Sequence, residues 1–411
     1  MTNTEQRAGS RTVSKGYMIF LVILMGLVSQ MDSWLSLIET KAVPKILAEF
    51  AISASEFALY QGLFGIIVFG VFFIAWFADA FGRRTGMMAL VLVMGVPAIL
   101  IVFLSVNIYV FLLLYSIMIM GTTSNLWEVP ISEEAPAKSR GLNGSLAFLI
   151  GVIPLYAVVG SRIIDTYGWQ WGYGVMFFFM VILMLLLFFM KEPGRWKNAA
   201  EARGNKRLGV LAALKKLRKQ DAKYIVIATV VYLSWTISFK MATTFGGVFF
   251  VEVLNYTDSE FNSILTVAGL LLPISAIISG VLMDKVGRRF VLIVGSVGAL
   301  VCFVALGITA IPAFYQAVYF FMAMVLAWIY VYIAEIFTTE VRSTSIGLCI
   351  TGARLGYVVG PLLASLLTSL FPTMGGFWIV AGVLMLAPLL TLFARPLETK
   401  GKTLEDIAVE R

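Results

Sequence analysis

Long apolar runs alternate with short polar segments along the whole chain. About twelve of these runs reach the ~20 residues that an α-helix needs to cross a bilayer. The runs fall into two groups of six, divided by a basic segment from Lys191 to Lys223. The pattern predicts an all-α integral membrane protein whose twelve transmembrane helices form two six-helix bundles. The predicted spans are residues 17–38, 56–78, 86–104, 108–131, 142–163, 172–190, 224–250, 261–283, 290–310, 313–334, 344–369 and 374–394.

Composition leaves little of the chain for a soluble domain. Hydrophobic residues make up 60% of the chain and charged residues 13%, about half the charged share of a typical soluble domain. We therefore expect four segments. These are an N-terminal bundle with a short tail (1–190), a basic linker (191–223), a C-terminal bundle (224–394) and a tail (395–411).

Lysine and arginine residues gather on one side of the predicted membrane. By the positive-inside rule that side is cytoplasmic, and both termini lie there. The net charge of +8 is thus interpreted as a topology signal and not as nucleic-acid binding. The residues on this side are Arg7, Arg11, Lys15, Arg83, Arg84, Lys138, Arg140, Lys215, Lys216, Arg218, Lys219, Lys285, Arg288, Arg289, Arg342, Lys400 and Lys402.

Several charged motifs occur twice at a nearly constant spacing. The loop Asp79–Arg84 (DAFGRR) is repeated as Asp284–Arg289 (DKVGRR), an offset of 284 − 79 = 205 residues. Matched registers of this kind indicate an internal duplication, which is how many secondary transporters are built. Two further pairs keep almost the same offset: Glu133…Arg140 with Glu335…Arg342, and Glu192-Pro193 with Pro396-Leu397-Glu398.

The sequence offers little support for catalysis. It contains no histidine, and its two cysteines, Cys302 and Cys349, lie within predicted spans, where we interpret them as small packing residues. We find no nucleotide-binding loop, metal-ligand cluster or nucleophile constellation. The chain is not expected to be an enzyme or to hold a cofactor or metal, and any proton coupling must run on carboxylates.

The repeated motifs resemble those of the major facilitator superfamily along the whole chain. Asp79-x-x-Gly82-Arg83-Arg84 resembles the signature loop between spans 2 and 3 of that family. The resemblance implies the fold of that family, transport by alternating access and a functional monomer. Further matches are Glu133-x-x-Pro136-x-x-x-Arg140 after span 4, Tyr332-x-x-Glu335-x-x-x-x-Glu340-x-Arg342 after span 10, and a sugar-porter-like tail from Pro396 to Glu405.

Departures from the family patterns indicate which branch of the family the sequence resembles. Span 7 reads Trp235–Lys240 and lacks the glutamine-rich pattern of sugar binding. The antiporter pattern of span 5 is only faint between Gly151 and Gly160. The organic-ion branch fits better, because many of its members carry an arginine in span 11, as Arg354 does here.

The repeated loops are too charged for lipid and are expected at the cytoplasmic rim. Gly82 and Gly287 permit a tight turn there. Their arginines can pair with carboxylates and helix carbonyls of the other bundle, a latch that would break and reform during alternating access. Static anchoring at the rim is the alternative. The gating candidates are Asp79, Gly82, Arg83, Arg84, Glu133, Arg140, Asp284, Gly287, Arg288, Arg289, Glu335 and Arg342.

Four charges inside predicted spans have no counterpart in the repeat: Asp32, Glu128, Lys240 and Arg354. A charge in a membrane span costs at least ~2.5 kcal/mol, so such residues usually face the cavity and mark the pathway. Arg354 lies near the middle of span 11, and its planar guanidinium suits a carboxylate. An internal salt bridge of Arg354 is the alternative.

The acidic members of this set are the candidate proton-coupling residues. Asp32 lies in the outer half of span 1, where the family resemblance implies a coupling aspartate. Glu128 is the second candidate, with a substrate contact or pairing to a cytoplasmic arginine as its alternatives. Pro130 is expected to bend span 4. Lys240 is a possible partner of Asp32, or snorkels to the outer surface. Glu39 and Arg162, near the outer boundary, are expected to form ion pairs at the rim, with Asp165 as a possible member of these pairs.

Aromatic residues are numerous in these spans, and some must line the cavity. They would suit an aromatic or amphipathic substrate, although helix packing explains most membrane aromatics. The aromatic substrate-binding candidates, which join Arg354 and Lys240, are Trp34, Trp127, Trp235, Tyr330 and Tyr357.

These observations favour a proton-coupled symporter of a small organic anion in a prokaryotic cytoplasmic (inner) membrane. Its partners would be a small-molecule substrate, protons and the lipid bilayer. Three alternatives remain: an exporter or antiporter of amphipathic compounds, a sugar or polyol porter, and a receptor that kept the fold but lost transport. The sequence names neither the substrate nor the direction of transport.

Overall fold

The computed structural model describes residues 14–135, 140–194, 196, 217–337, 342–402 and 404–410. These residues are mainly helical and form no β-strand. Some features of the sequence analysis lie outside the described residues: Arg7, Arg11, Pro136, Lys138, Lys215, Lys216, Glu340 and residues 197–216 of the linker. Arg140 and Arg342 begin helices, but their side chains are also outside the description.

Eleven helices of the described chain are long and apolar enough to cross a membrane, and one further apolar helix is shorter. They follow the order of the twelve predicted spans, which confirms the all-helical membrane architecture. The helices are α1 (Lys15–Phe50), α2 (Ala54–Phe81), α3 (Arg83–Leu104), α4 (Ile108–Thr122), α5 (Asn143–Tyr167), α6 (Trp169–Leu187), α7 (Lys219–Val253), α8 (Asp258–Lys285), α9 (Arg288–Thr309), α10 (Pro312–Ile336), α11 (Ser345–Leu370) and α12 (Gly375–Ala394).

The predicted span 108–131 is two elements and not one helix. After α4 the chain turns, with Asn125 in the left-handed region at φ +50°, and a short helix follows at Glu128–Glu134. The hydroxyl of Thr122, the last residue of α4, donates to the carbonyl of Ile119 at 3.0 Å. Pro130 thus lies in the first turn of a new helix, where its missing N–H costs little, and does not bend a continuous one.

Contacts divide the described residues into two compact units. Unit 1 contains residues up to Ile38, Ile67–Tyr156 and residues 166–207. Unit 2 contains Glu39–Ile66, Ala157–Asp165 and residues from 208 onward. Unit 2 therefore includes short segments of α1, α2 and α5 together with the second half of the sequence.

Each unit is held by close helix contacts. In unit 1, α3 packs against α4 and α6, and α1 packs against Arg140–Gly151. In unit 2, α10 packs against both α8 and α9, while α7 and Ala54–Phe64 of α2 both pack against α11. Large apolar side chains remain exposed, as expected for helices solvated by lipid; they include Ile66, Phe73, Phe103, Phe189 and Ile308.

The two repeated loops define one end of each unit, here called the motif end. The loop Asp79–Arg84 joins α2 to α3, and Asp284–Arg289 joins α8 to α9. Because successive helices run in opposite directions, α1 and α7 both start at the motif end. Their final segments, Glu39–Phe50 and Val248–Val253, lie at the opposite end, here called the far end.

Candidate functional site

Arg83 holds an ion-pair network at the motif end of unit 1. Its Nη2 lies 2.8 Å from Oε1 of Glu133, and its Nε donates to both oxygens of that carboxylate at 3.0 and 3.2 Å. Asp79, one turn earlier along the chain, pairs with Nη1 of the same guanidinium. The bidentate geometry fixes the orientation of the arginine as well as its charge.

Arg288 holds the matching network in unit 2. Its Nη2 lies 2.8 Å from Oε1 of Glu335, and its Nη1 lies 3.3 Å from Asp284. The C-terminal tail joins this network, because the hydroxyl of Thr399 donates to Oε2 of Glu335 at 2.6 Å. Nε of Arg289 donates to the carbonyl of Pro396 at 2.8 Å.

Arg83 and Arg288 each pair with carboxylates of their own unit. The sequence analysis expected them to pair with the other bundle. The difference has a local cause: Arg83 and Arg288 begin their helices, four residues after Asp79 and Asp284, so the nearest acidic groups belong to the same helix hairpin and its neighbour. The networks therefore brace each motif loop internally.

Two carboxylates that had no assigned role cap the helices after the repeated glycines. Glu192 accepts from the backbone N–H groups of Arg83 and Arg84 at 2.8 and 2.9 Å. Glu398 accepts from those of Arg288 and Arg289 at 2.9 and 3.0 Å. The first N–H groups of a helix lack partners within it, and a carboxylate there also meets the favourable end of the helix dipole. The repetition of both glutamates in the sequence was the signal that pointed to this role.

Lys240 of α7 forms a buried ion pair with Glu39. Its Nζ lies 2.5 Å from Oε1 of Glu39, and the exposed fractions of the two side chains are 10% and 1%. The hydroxyls of Thr244 and Thr243 donate to the same oxygen at 2.9 and 3.3 Å. Nζ of Lys240 also lies 5.7 Å from the ring centroid of Tyr357 in α11.

This pairing gives Glu39 a partner that the sequence analysis did not name. The sequence left open a pair of Lys240 with Asp32 and expected a rim partner for Glu39. Asp32 and Glu39 are seven residues apart, about two helical turns, and so share a face of α1. Helical periodicity alone could not choose between them. Lys240 does not snorkel, because it lies buried beside a carboxylate.

A second charge cluster lies at the far end of unit 2. Lys41 is 1% exposed, and its Nζ lies 2.5 Å from Asp258 and 3.3 Å from Asp165. Lys45, one turn later, lies 3.0 and 3.5 Å from the same two aspartates. Asp165 thus pairs with lysines of α1 and not with the rim residues considered in the sequence analysis. The i, i+4 spacing of the lysines was a signal that sequence reasoning missed.

Arg354 is buried at 3% exposure, nine residues into α11. At ~1.5 Å per residue it lies about 14 Å from the start of that helix, close to its middle. The neighbouring glycines hold α11 against α7: a Cβ at Gly356 would lie 2.7 Å from Cγ2 of Thr236. Arg354 and Lys240 therefore belong to two directly packed helices, with Tyr357 about one turn beyond Arg354.

Three of the aromatic candidates, Trp235, Tyr330 and Tyr357, lie in unit 2. The ring of Trp235 stacks on Phe239 at 5.0 Å between centroids, and its Nε1 donates to the carbonyl of Met322 at 2.7 Å. Tyr357 is half-buried and lies beside Lys240. Tyr330 is half-buried in α10.

The remaining candidates lie in unit 1. Asp32 is half-buried, and its Oδ1 accepts from the hydroxyl of Ser36 at 3.3 Å. Trp34 is buried and donates to the carbonyl of Gly172 at 2.8 Å, so it has a packing role in the α1–α6 contact. Glu128 is half-buried in the first turn of the short helix, which packs on α1, and Trp127 is buried just before it. A carboxylate in a first helical turn is favoured by the helix dipole, a structural reason for Glu128.

Comparison with known proteins identifies the family. The model of the Major Facilitator Superfamily matches residues 20–329 and 317–408. The Bacillus subtilis protein named "Probable metabolite transport protein CsbC" is 25% identical over 332 residues, covering 70% of this chain and 71% of its own length. The cis,cis-muconate transport protein of Acinetobacter baylyi is 24% identical, covering 93% of this chain and 95% of its own length.

Solved structures with a similar fold belong to transporters as well. The crystal structure of a D-xylose–proton symporter superposes with a TM-score of 0.73 at 19% identity, over 95% of this chain and all of the other. An inward-open structure of the xylose transporter XylE from E. coli gives 0.72 at 18% identity, over 96% of this chain and all of the other. Likeness at this identity shows the fold.

The family match covers nearly the whole chain and confirms the predicted fold class and family. It also confirms that the chain is not an enzyme, since this is a family of transporters. Its members bind small-molecule substrates and work as single-chain proteins. The chain is a multi-pass integral membrane transporter and belongs to the major facilitator superfamily.

Proposed function

We propose that this transporter is a proton-coupled symporter of a small organic anion that works by alternating access. One observation carries the proposal: Lys240 and Arg354 are two buried cations on the directly packed helices α7 and α11. A cation inside a membrane span is costly and persists where it serves a pathway or a ligand. Substrate sites of secondary transporters lie near the membrane midplane, which agrees with the place of Arg354 within its helix.

The chemistry of the site favours a carboxylate. Arg354 offers a planar, permanently charged fork that matches the two oxygens of a carboxylate. Trp235 and Tyr357 offer ring surface in the same unit, which suits an unsaturated or aromatic acid. The relative that transports cis,cis-muconate, an unsaturated dicarboxylate, supports this substrate class.

Proton coupling is assigned to carboxylates, because the chain has no histidine. Asp32 of α1 is the first candidate and Glu128 the second. Symport of a proton with an organic anion would use the pH gradient to accumulate the anion.

The motif-end networks are proposed to stabilise one state of the transport cycle. The pairs Arg83–Glu133 and Arg288–Glu335 each tie a motif loop to a neighbouring helix of the same unit, so that each group of helices would move as one body. The candidate gating residues remain proposed gating residues, now with pairing inside each unit as the source of rigidity.

We further propose that the motif end and both termini are cytoplasmic, that the six-helix bundles span residues 1–190 and 224–394, and that the monomer is functional. The bacterial relatives support a prokaryotic inner membrane. The concentration of Lys and Arg at the motif end supports this orientation.

The test is proton flux in proteoliposomes that contain a trapped pH dye. Aromatic acids, sugar acids, dicarboxylates including cis,cis-muconate, neutral sugars and organic cations are added one class at a time. Acidification of the lumen by one class of organic acid is the expected result. Acidification by neutral sugars alone would favour a sugar porter, and silence across the panel would contradict proton symport.

A further inference from the structure

We propose that the far end of unit 2 holds a binding site for an amphipathic organic monocation, a ligand with an ammonium group and an apolar body. The site is a cavity of about 400 Å³ between the final segments of α1 and α7 and the start of α8. This volume lies within the usual range of small-molecule sites. Of the described residues that line the cavity, none is a candidate substrate or proton-coupling residue.

One wall of the cavity is apolar and comes from the end of α1. Ala51 has a left-handed backbone with φ +51°, which ends the helix, and the N–H of Ile52 donates to the carbonyl of Leu47 at 3.2 Å. This is the Schellman arrangement, in which the residue after the left-handed one folds back on the last turn. Leu47 and Ile52, together with Pro44 and Ala48, therefore present an apolar surface to the cavity.

A second wall comes from the π-helical end of α7, Val248–Val253. Phe249 and Phe250 of this segment are buried, at 2% and 0% exposure, and anchor it in unit 2. Val251 and Glu252 follow the buried pair and line the cavity. Because both walls are fixed by local packing, the site is preformed, which lowers the entropic cost of binding a ligand.

The charges of the lining favour a cation. One lysine and two carboxylates line the cavity: Lys45, Glu252 and Asp258. Asp258 is balanced by lysines, because Nζ of Lys45 lies 3.0 Å and Nζ of Lys41 lies 2.5 Å from its oxygens. Glu252 is exposed and forms no ion pair with another residue of the described part of the chain. The lining therefore carries one net negative charge, at Glu252.

The class of ligand follows from these walls. An ammonium group beside Glu252 gains an ionic contact at little desolvation cost, because that carboxylate is exposed. An apolar body against Leu47 and Ile52 removes hydrocarbon surface from water. An organic anion is disfavoured, because Glu252 would repel it and Lys45 is already paired with Asp258 and Asp165 at 3.0 and 3.5 Å.

A bound cation would hold the end of α1 against α7. Its ammonium group would contact Glu252 of α7 while its body contacts the apolar surface of α1. These helices already pack so closely that a Cβ at Gly247 would lie 2.1 Å from the carbonyl oxygen of Thr40. A ligand that binds only the packed state shifts the equilibrium toward that state. This effect on transport rests on the proposed alternating access, whereas the binding site itself does not.

Binding of benzyltrimethylammonium to the purified full-length protein in detergent tests the site. Glu252→Gln should raise the dissociation constant about threefold or more, because it removes the charge and keeps the shape. Glu49→Gln is the matched control, an exposed carboxylate of the same end that does not line the cavity, and it should bind the cation as the parent does. Neutral benzyl alcohol should bind more weakly and should not distinguish the parent from Glu252→Gln.

A second variant tests the cavity without changing its charge. Ala48 is exposed and lines the cavity, so Ala48→Phe places a ring where the ligand body would lie. This variant should lose binding of the cation while keeping the parent's thermal stability. The proposal is overturned if the parent does not bind the cation, or if either Glu252→Gln or Ala48→Phe binds it as tightly as the parent.

Transport measurements separate this inference from the proposed function. In proteoliposomes of the parent, the cation should lower the maximal rate of exchange of the active organic acid without raising its KM, and Glu252→Gln should be less sensitive. A raised KM would place the cation in the transport site and would overturn the proposal. If the parent transports none of the compounds, the symport proposal fails, and the binding measurements still decide whether the cavity is a cation site.

Discussion

Glu192 and Glu398 perform the same task at equivalent places in the two halves of the chain. Each carboxylate accepts from the two backbone N–H groups that begin the helix after a repeated glycine. Their offset, 398 − 192 = 206 residues, nearly equals the 205 residues between the glycine loops. The duplication has therefore preserved a capping interaction, and not only the charged loop.

The glycines of these loops should be difficult to replace. Gly82 and Gly287 have φ of +109° and +137°, and an added Cβ would lie 2.4 Å from Glu192 and 3.0 Å from Glu398. We expect Gly82→Ala and Gly287→Ala each to cost about 1–3 kcal/mol, with the larger loss at Gly82. Thermal unfolding in detergent measures both. Gly280→Ala, a helical site with open space, is the control and should be neutral or slightly stabilising; an equal loss there would contradict the argument.

Arg83 should matter far more than its neighbour Arg84. Arg83→Ala removes charged hydrogen bonds to Glu133 and Asp79, which is expected to cost about 1.5–3 kcal/mol. The guanidinium of Arg84 lies 5.7 Å from the ring of Phe188, a contact worth only ~0.5–1 kcal/mol. The measurement compares the thermal stability and transport rate of Arg83→Ala with those of Arg84→Ala. Equal effects would mean that the ion pairs do not brace the loop.

The cap of Glu398 should give stability a pH dependence. Burial acts to raise the pKa of Glu398, but hydrogen bonds from the backbone N–H groups of Arg289 and Arg288 outweigh it and hold this pKa below its usual value of 4.5. A lowered folded-state pKa contributes stability above the unfolded-state value, and this contribution is lost as pH falls through the folded-state value. Glu398→Gln should therefore lower the melting temperature at pH 7, and the difference should shrink below about pH 4.5. A difference that is constant with pH would contradict the assignment.

Arg354 should be required for substrate binding and should not be required for folding. Arg354→Ala is expected to weaken binding of the active organic acid at least tenfold, about 1.4 kcal/mol, and Arg354→Lys should lie between it and the parent because it keeps the charge without the fork. Binding to purified protein and uptake into proteoliposomes measure this. Arg162→Ala, an exposed arginine in α5, is the control. Near-normal affinity of Arg354→Ala would remove the arginine from the site.

Asp32 should couple the proton to transport. Asp32→Asn is expected to stop accumulation against a gradient while leaving exchange of substrate across the membrane. Comparison of counterflow with pH-driven uptake in the same vesicles separates the two activities. If the variant still accumulates substrate, the proton role passes to Glu128, whose Glu128→Gln variant is then measured in the same way.

The candidate site was only partly predictable, and Lys240 shows why. Its position within an apolar run marked it as a candidate pathway residue. The structure places Lys240 beside Tyr357 and on a helix that packs against the helix of Arg354. Its partner Glu39 is 201 residues away in the sequence. Two carboxylates on one face of α1, Asp32 and Glu39, were compatible with the sequence as partners, and the structure shows Glu39 at 2.5 Å from Nζ of Lys240.

The sequence by itself predicted the order of the membrane helices, the duplication and the family, because each depends on local composition or on motifs within a few residues; it did not predict the break after Thr122. Apolar runs must be helical in lipid, where every backbone N–H and C=O needs an internal partner. The tertiary structure alone decided which charges meet: Lys41 with Asp165 and Asp258, Lys240 with Glu39, and Arg83 with Glu133 of the short helix after α4. A salt bridge requires atoms within about 4 Å, and only the packed arrangement of the helices sets distances on that scale.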